Sequence, residues 1–263
     1  MAMTTASPAE PILTVSSALA ALSGEDNQLR YYAAWWLGKH QVQSACATLC
    51  LALKDERYRT AQGGYPLRRQ AARALGALKN PQAVPALLEA LECGEDLRLR
   101  EAAIQALAAI GDARAATPLL DLLQSTTEQP YEALIETLGT LKVWSARPQI
   151  EPFLHHSSER VQCAAARYLY LLTGEPQYIE RLVNNLSHEN MYLRWAAAFD
   201  LGAICSVQAV RAIIEAKVPN SLKLLNLKRI LEAVLDSDMD SVAAKQEKSQ
   251  ELIRAIDNLL IQL

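Results

Sequence analysis

One ten-residue phrase recurs along this chain and constrains its fold more than any other feature. LRYYAAWWLG begins at Leu29, LRRQAARALG at Leu67 and LREAAIQALA at Leu99. A weaker PYEALIETLG begins at Pro130, VQCAAARYLY at Val161, LRWAAAFDLG at Leu193 and a degenerate LKLLNLKRIL at Leu222. Successive starts lie 38, 32, 31, 31, 32 and 29 residues apart. Self-similarity at a nearly fixed period marks a stack of structural units that bury their apolar faces only against one another. Within the phrase, positions one, five, six and nine are mainly apolar, which is helical periodicity rather than the alternation of a strand. A second apolar stretch precedes each phrase, as at Ala83 to Cys93, Ala115 to Gln124 and Tyr178 to Leu186. Pro81 and Pro176 stand at helix starts, and Gly94, Gly111 and Gly174 at turns.

Each unit is therefore a helix pair. A period near 31 is close to ankyrin or tetratricopeptide lengths, but the ankyrin-like Thr117–Pro118–Leu119 occurs once and inside a helix, and tetratricopeptide signatures are absent. Short HEAT-like units fit best. The expected fold is all-α: a right-handed α-solenoid of about seven short HEAT-like repeats forming a single domain over residues 1–263. The longest interval places an inserted loop at 54–66, KDERYRTAQGGYP. Apolar residues at Leu252, Ile253, Ile256, Leu259, Leu260 and Leu263 predict an amphipathic helix over 241–263 that caps the stack or meets a partner.

Composition narrows the function. Hydrophobic residues make up 51% of the chain, with 10 Gly and 11 Pro, which excludes disorder. A net charge of −3 argues against a nucleic-acid binder that works through a general positive field. There is no apolar run of membrane-spanning length and no signal segment, so a cytoplasmic protein is expected. The five cysteines, Cys46, Cys50, Cys93, Cys163 and Cys205, form no CxxC pairs, which argues against disulfides or zinc. Four histidines include the adjacent His155–His156, whose side chains point apart on a helix, and a lone His188–Glu189 pair, so no metal site is expected. Phosphate-binding loops, dinucleotide fingerprints and nucleophile elbows are absent.

Positions three and seven of the phrase vary most and share one helix face. Along the chain they read Tyr31 with Trp35, Arg69 with Arg73, Glu101 with Gln105, Glu132 with Glu136, Cys163 with Arg167, Trp195 with Phe199, and Leu224 with Lys228. Second helices line the concave side of HEAT-type stacks, so this is the expected working surface, aromatic, then cationic, then acidic, then aromatic again.

RYYAAWWLGK (Arg30 to Lys39) and the RTxxGGYPLRRxAARALG segment (Arg59 to Gly76) closely resemble the E-type subunit of the heterodimeric phycobilin lyases. RVQCAAARYLYLLTG (Arg160 to Gly174) and NSLKL (Asn220 to Leu224) are similar too. The resemblance implies a cyanobacterial-type protein that pairs with a related F-type subunit and attaches phycocyanobilin to a cysteine of the phycocyanin α-subunit. The acceptor cysteine is the client's, and no permanently bound cofactor is implied. A close sister family serves phycoerythrocyanin, with the isomerising residues in the other subunit. A non-catalytic scaffold or chaperone for phycobilisome proteins is the alternative.

For such a substrate the residues divide by chemistry. Arg57, Arg59, Arg69 and Arg73 can supply forks for propionates, with Arg68 nearby. Tyr31, Trp35 and Tyr65 can offer ring contacts. Glu101 and Glu132 are candidates for holding protonated pyrroles and supplying a proton. Arg68 recurs in register as Arg30, Arg100 and Arg194, which assigns it to tying adjacent repeats together.

Overall fold

Each Ala-rich phrase forms a helix because straight-chain and Ala residues dominate it and its Gly and Pro fall at the ends. The computed structural model describes residues 12–236 and 241–261, which leaves Leu263 outside it. It is all-helical among those residues, and it divides into two compact units, residues 1–141 and 142–263.

In the first unit the helices are α1 (Val15–Ser23), α2 (Asn27–Lys39), α3 (Cys46–Ala52), α4 (Pro66–Leu78), α5 (Val84–Ala90), α6 (Leu97–Ile110), α7 (Ala116–Leu123) and α8 (Tyr131–Thr140). They form four pairs, and the second helices α2, α4, α6 and α8 pack in succession. The second unit holds α9 (Arg147–Ile150), α10 (Glu159–Thr173), α11 (Pro176–Asn185), α12 (Met191–Ile204), α13 (Val210–Glu215), α14 (Asn220–Asp236) and α15 (Val242–Leu260). Here α10, α12 and α14 pack in succession and α15 lies on α14. The seven pairs are those marked by the seven phrases.

The phrase positions behave as their periodicity requires. Ala33, Ala34, Leu37, Ala71, Ala72, Leu75, Ala103, Ile104, Leu107 and Leu138 are all fully buried. Small residues at five and six bring backbones together, and Gly at position ten tightens the approach. A Cβ on Gly38 would lie 2.7 Å from Ala74 Cα, and one on Gly76 would lie 2.9 Å from Ala106 Cα. In both pairs position ten meets position eight of the next phrase. Gly202 instead faces the buried Asn226, which is position five counted from Leu222. The last second helix nevertheless buries the same phrase positions, Asn226, Leu227 and Ile230, and its Lys223 Nζ donates to Ile214 O much as the recurring Arg does elsewhere.

The recurring Arg spans both its own pair and the next. Arg30 Nε donates to Leu22 O, Arg68 Nε to Leu53 O and Arg100 Nε to Leu91 O, each carbonyl at the end of the preceding first helix. The outer nitrogens of Arg30 and Arg100 reach onward to Asp55 and Gln129 in the next inter-helix loop. Arg194 likewise donates to His188 O and Glu189 O and to Lys217 O beyond. These donors satisfy helix-end carbonyls that would otherwise lack partners.

Second helices α2 to α12 all end at a left-handed residue: Gln41, Lys79, Gly111, Lys142, Gly174 and Cys205, with φ between 50° and 76°. Four of the six are not glycine, and such a residue is strained by about 1–2 kcal/mol. Glycine relieves that strain but loses more entropy on folding, about 0.4–1 kcal/mol. Lys79→Gly is therefore expected to stabilise the chain by about 0.5 kcal/mol, read from the urea midpoint. A lower midpoint would show that Lys79 earns its place through side-chain contacts.

Candidate functional site

The loop after α3 is held by acids at both ends. Asp55 receives Arg30 and Arg57 and caps the Tyr58 N–H. Within the loop, Gly64 O accepts from Thr60 N and Thr60 Oγ1 from Gly64 N, closing a tight turn at 2.8 and 3.0 Å. At its far end Asp96, with a side chain 1% exposed, accepts from Arg69 Nε at 2.8 Å, from Tyr65 N at 2.8 Å and from Leu99 N at 3.0 Å. Burial alone would push both carboxyls up. Arg30 and Arg57 at Asp55, and Arg69 with the two N–H groups at Asp96, outweigh it and hold each below its ordinary value.

Four of the seven candidate binding residues are taken up in this clasp. Arg57 pairs with Asp55, and Arg59 with Glu95. Tyr65 is buried, with the guanidinium carbons of Arg59 and Arg68 at 5.4 and 4.7 Å from its ring centre. Arg69 lies against Gly64, whose added Cβ would strike its guanidinium. Arg69, expected as a fork for propionates, is instead engaged by the buried Asp96.

The other three remain on the surface of the second helices. Trp35 is 45% exposed, with Lys39 Nζ 4.7 Å from its ring centre. Tyr31 is half-buried and meets Tyr32 edge-on at 5.8 Å. Arg73 is exposed and forms no ion pair among the described residues. Because α2, α4 and α6 are packed neighbours, position seven runs Trp35, Arg73, Gln105 across them. Glu101 is exposed and accepts from Gln105 Nε2 at 3.3 Å, and Glu132 is half-buried in the first turn of α8. This ridge offers a ring face, an unengaged guanidinium and a carboxylate in sequence.

In the second unit the expected surface position of Cys163 is corrected. Its side chain is buried, and Asn185 Nδ2 donates to Sγ at 2.9 Å. Burial, with Asp200 adding to it, pushes this thiol up to about 11. Burial, aided by Cys46, also raises Cys50 to about 11, and it raises Cys46 and Cys205. Arg160 and Arg167 both pair with Asp200, at 2.8 and 3.6 Å. Asp55, Asp96 and Asp200 were all missed by sequence reasoning. The N-cap spacing from Asp96 to Leu99 was the one local signal available. Among the described residues no His, Cys, Asp and Glu cluster could hold a metal, and no helix is long and apolar enough to cross a membrane.

Comparison with known proteins gives this arrangement a family. The HEAT repeats model matches residues 61–135, and the PBS lyase HEAT-like repeat model matches 29–55 and 193–218. The fold is thus that of a HEAT-like repeat protein, with repeats of the PBS lyase type at 29–55 and 193–218. The bilin biosynthesis protein PecE of Nostoc sp. (strain PCC 7120) is 72% identical over 97% of this chain and 99% of its own. The phycocyanobilin lyase subunit alpha of Thermosynechococcus vestitus is 47% identical over 95% and 96%. In the structure of the complex of CpcE and CpcF of phycocyanin lyase from Nostoc sp. PCC7120, the matching chain superposes with a TM-score of 0.84, at 44% identity over 98% of this chain and 99% of that one. The chain belongs to the E-type bilin lyase subunit family, which includes PecE and the phycocyanobilin lyase α-subunits.

Proposed function

We propose that the chain is the E-type subunit of a cytoplasmic heterodimeric bilin lyase, which binds phycocyanobilin with an F-type partner and promotes its thioether attachment to a client cysteine. The observation that carries this reading is similarity along the whole length, 72% to PecE against 47% to a phycocyanobilin lyase α-subunit. That difference favours the sister branch and therefore the phycoerythrocyanin α-subunit, over that of phycocyanin, as client.

The step itself is an addition. The client thiol forms one C–S bond to a conjugated exocyclic carbon, the C=C π bond is consumed, and one proton ends on the adjacent carbon. No electrons are gained or lost, so the subunit has only to orient the chromophore and place a proton. Trp35 and Tyr31 offer the ring contact, Arg73 the propionate contact, and Glu101 or Glu132 the proton. Arg57, Arg59, Tyr65 and Arg69 act by shaping the loop beside this ridge.

The test combines chain, F-type partner, phycocyanobilin and each client α-subunit, and measures covalent bilin on the client. Transfer should require both subunits and favour the phycoerythrocyanin client; absence of transfer with the complete set would overturn the reading. Arg73→Ala should weaken chromophore capture by about 1–3 kcal/mol, as for loss of a charged hydrogen bond. Arg73→Lys should recover part of it, since an ammonium cannot form the planar fork. Normal capture by Arg73→Ala would remove that residue from the site.

A further inference from the structure

The second unit exposes an aromatic trough that neither the clasp nor the ridge of the first unit uses. Trp195 and Phe199 stand one turn apart on α12, and Leu222 and Leu225 face them from α14, with Pro219 and Ser221 closing the end. Together they line a cavity of about 390 Å³. Phe199 and Leu225 are 44% and 46% exposed, and Tyr192 extends the shelf edge-on to Trp195 at 6.3 Å. The corresponding positions of α4, α6 and α8 carry Arg, Glu or Gln, so this apolar surface is not a by-product of the repeat.

We propose that the trough is a second bilin contact, which receives one dipyrrole half of the tetrapyrrole between the Trp195–Phe199 shelf and the Leu222–Leu225 wall. The inference rests on the bilin lyase reading above. Small-molecule sites are concave, mostly apolar and about 300–1,000 Å³, with few polar groups, and this trough with its single Ser221 meets that description. Its size takes part of a tetrapyrrole. Aromatic shelves favour flat conjugated rings. A propionate beside the trough has a cation available: Lys228 is one turn beyond Leu225, and its ion pair with Glu232 is solvent-exposed, at 3.5 Å with side chains 69% and 57% exposed. A stable protein contact needs about 800 Å² from each partner, well beyond what four side chains around one cavity provide. The larger cavity against α15, about 900 Å³, has Glu247, Glu251 and Arg254 in its wall and no aromatic ring, so it offers no such shelf.

The experiment titrates phycocyanobilin into the full chain copurified with its F-type partner and follows the bilin absorbance change. Phe199→Ser and Leu225→Ser should each bind about tenfold more weakly, from the loss of ring contact and apolar area. Phe199→Tyr should stay near wild type, as should Leu235→Ser, an exposed leucine of the same helix outside the trough. Thermal unfolding of each variant checks that the fold is kept. Unchanged affinity in both Ser variants beside a binding wild type overturns the trough and leaves the lyase reading standing. Failure of the wild-type complex to bind bilin overturns both. Loss of copurification in the Ser variants would mark the trough as a protein contact and overturn the proposal.

Discussion

Replacing Asp96 by Ala is expected to destabilise the first unit by about 3 kcal/mol, near the lower end of the 3–5 kcal/mol typical of a broken buried pair. The carboxylate is 1% exposed, and Arg69, 21% exposed, would keep a partly buried charge with no partner. The Tyr65 N–H and the first turn of α6 would lose their acceptor as well. Arg69 can still reach water, which places the estimate at the lower end. The effect also has a pH signature. Folding lowers this carboxyl below its ordinary 3.8, so the unfolded chain binds the proton more tightly. The stabilisation is complete above that ordinary value and is lost as pH falls through the folded one. Asp96→Asn keeps the helix cap without the titration, so its stability should fall less steeply than wild type below about pH 4. Urea unfolding at pH 7 and at pH 3.5 measures both. A loss under about 1 kcal/mol for Asp96→Ala would mean that the clasp is incidental to the fold.

A single methyl group at Gly76 should also destabilise the first unit, by up to about 2 kcal/mol net. Its Cβ would lie 2.9 Å from Ala106 Cα and 3.1 Å from Ala106 Cβ, so the obstacle is backbone and cannot swing aside. Gly→Ala inside a helix normally gains about 1 kcal/mol from propensity. Parting α4 from α6 costs about 1–3 kcal/mol through overpacking and should win. Gly76→Val adds bulk and β-branching and should lose at least about 3 kcal/mol. Thermal unfolding followed by circular dichroism reads the result, and a Gly76→Ala protein as stable as wild type would show that the helices have room to separate.

The architecture was legible because it repeats: Leu37, Leu75 and Leu107 are buried for one reason, which the phrase states each time. The site was less legible because its decisive partners do not repeat. Arg69 reads as an unengaged cation until Asp96, 27 residues on and in a different loop, folds against it. Tyr65 reads as an available ring until Arg59 and Arg68 cover it. Cys163 occupies a variable position but is buried, because Asn185 of α11 reaches over it. Trp195 and Phe199 were visible as an aromatic pair. Their facing wall was not, because Leu222 and Leu225 stand at positions one and four of the last phrase rather than at the variable positions three and seven. Periodicity locates a helix face, whereas the loops and the neighbouring helices decide which side chains on that face remain available.

The raised pKa of Cys50 and Cys163 has a consequence for a protein proposed to hold a chromophore that reacts with thiols. At pH 7 a group with a pKa of about 11 is ionised in about one molecule in ten thousand, and only the thiolate attacks. Cys50 and Cys163 are thereby poor acceptors for the cargo. An escort with reactive sulfur of its own would label itself and stall after one delivery. Holding Cys50 and Cys163 protonated keeps these two thiols from competing with the client's cysteine.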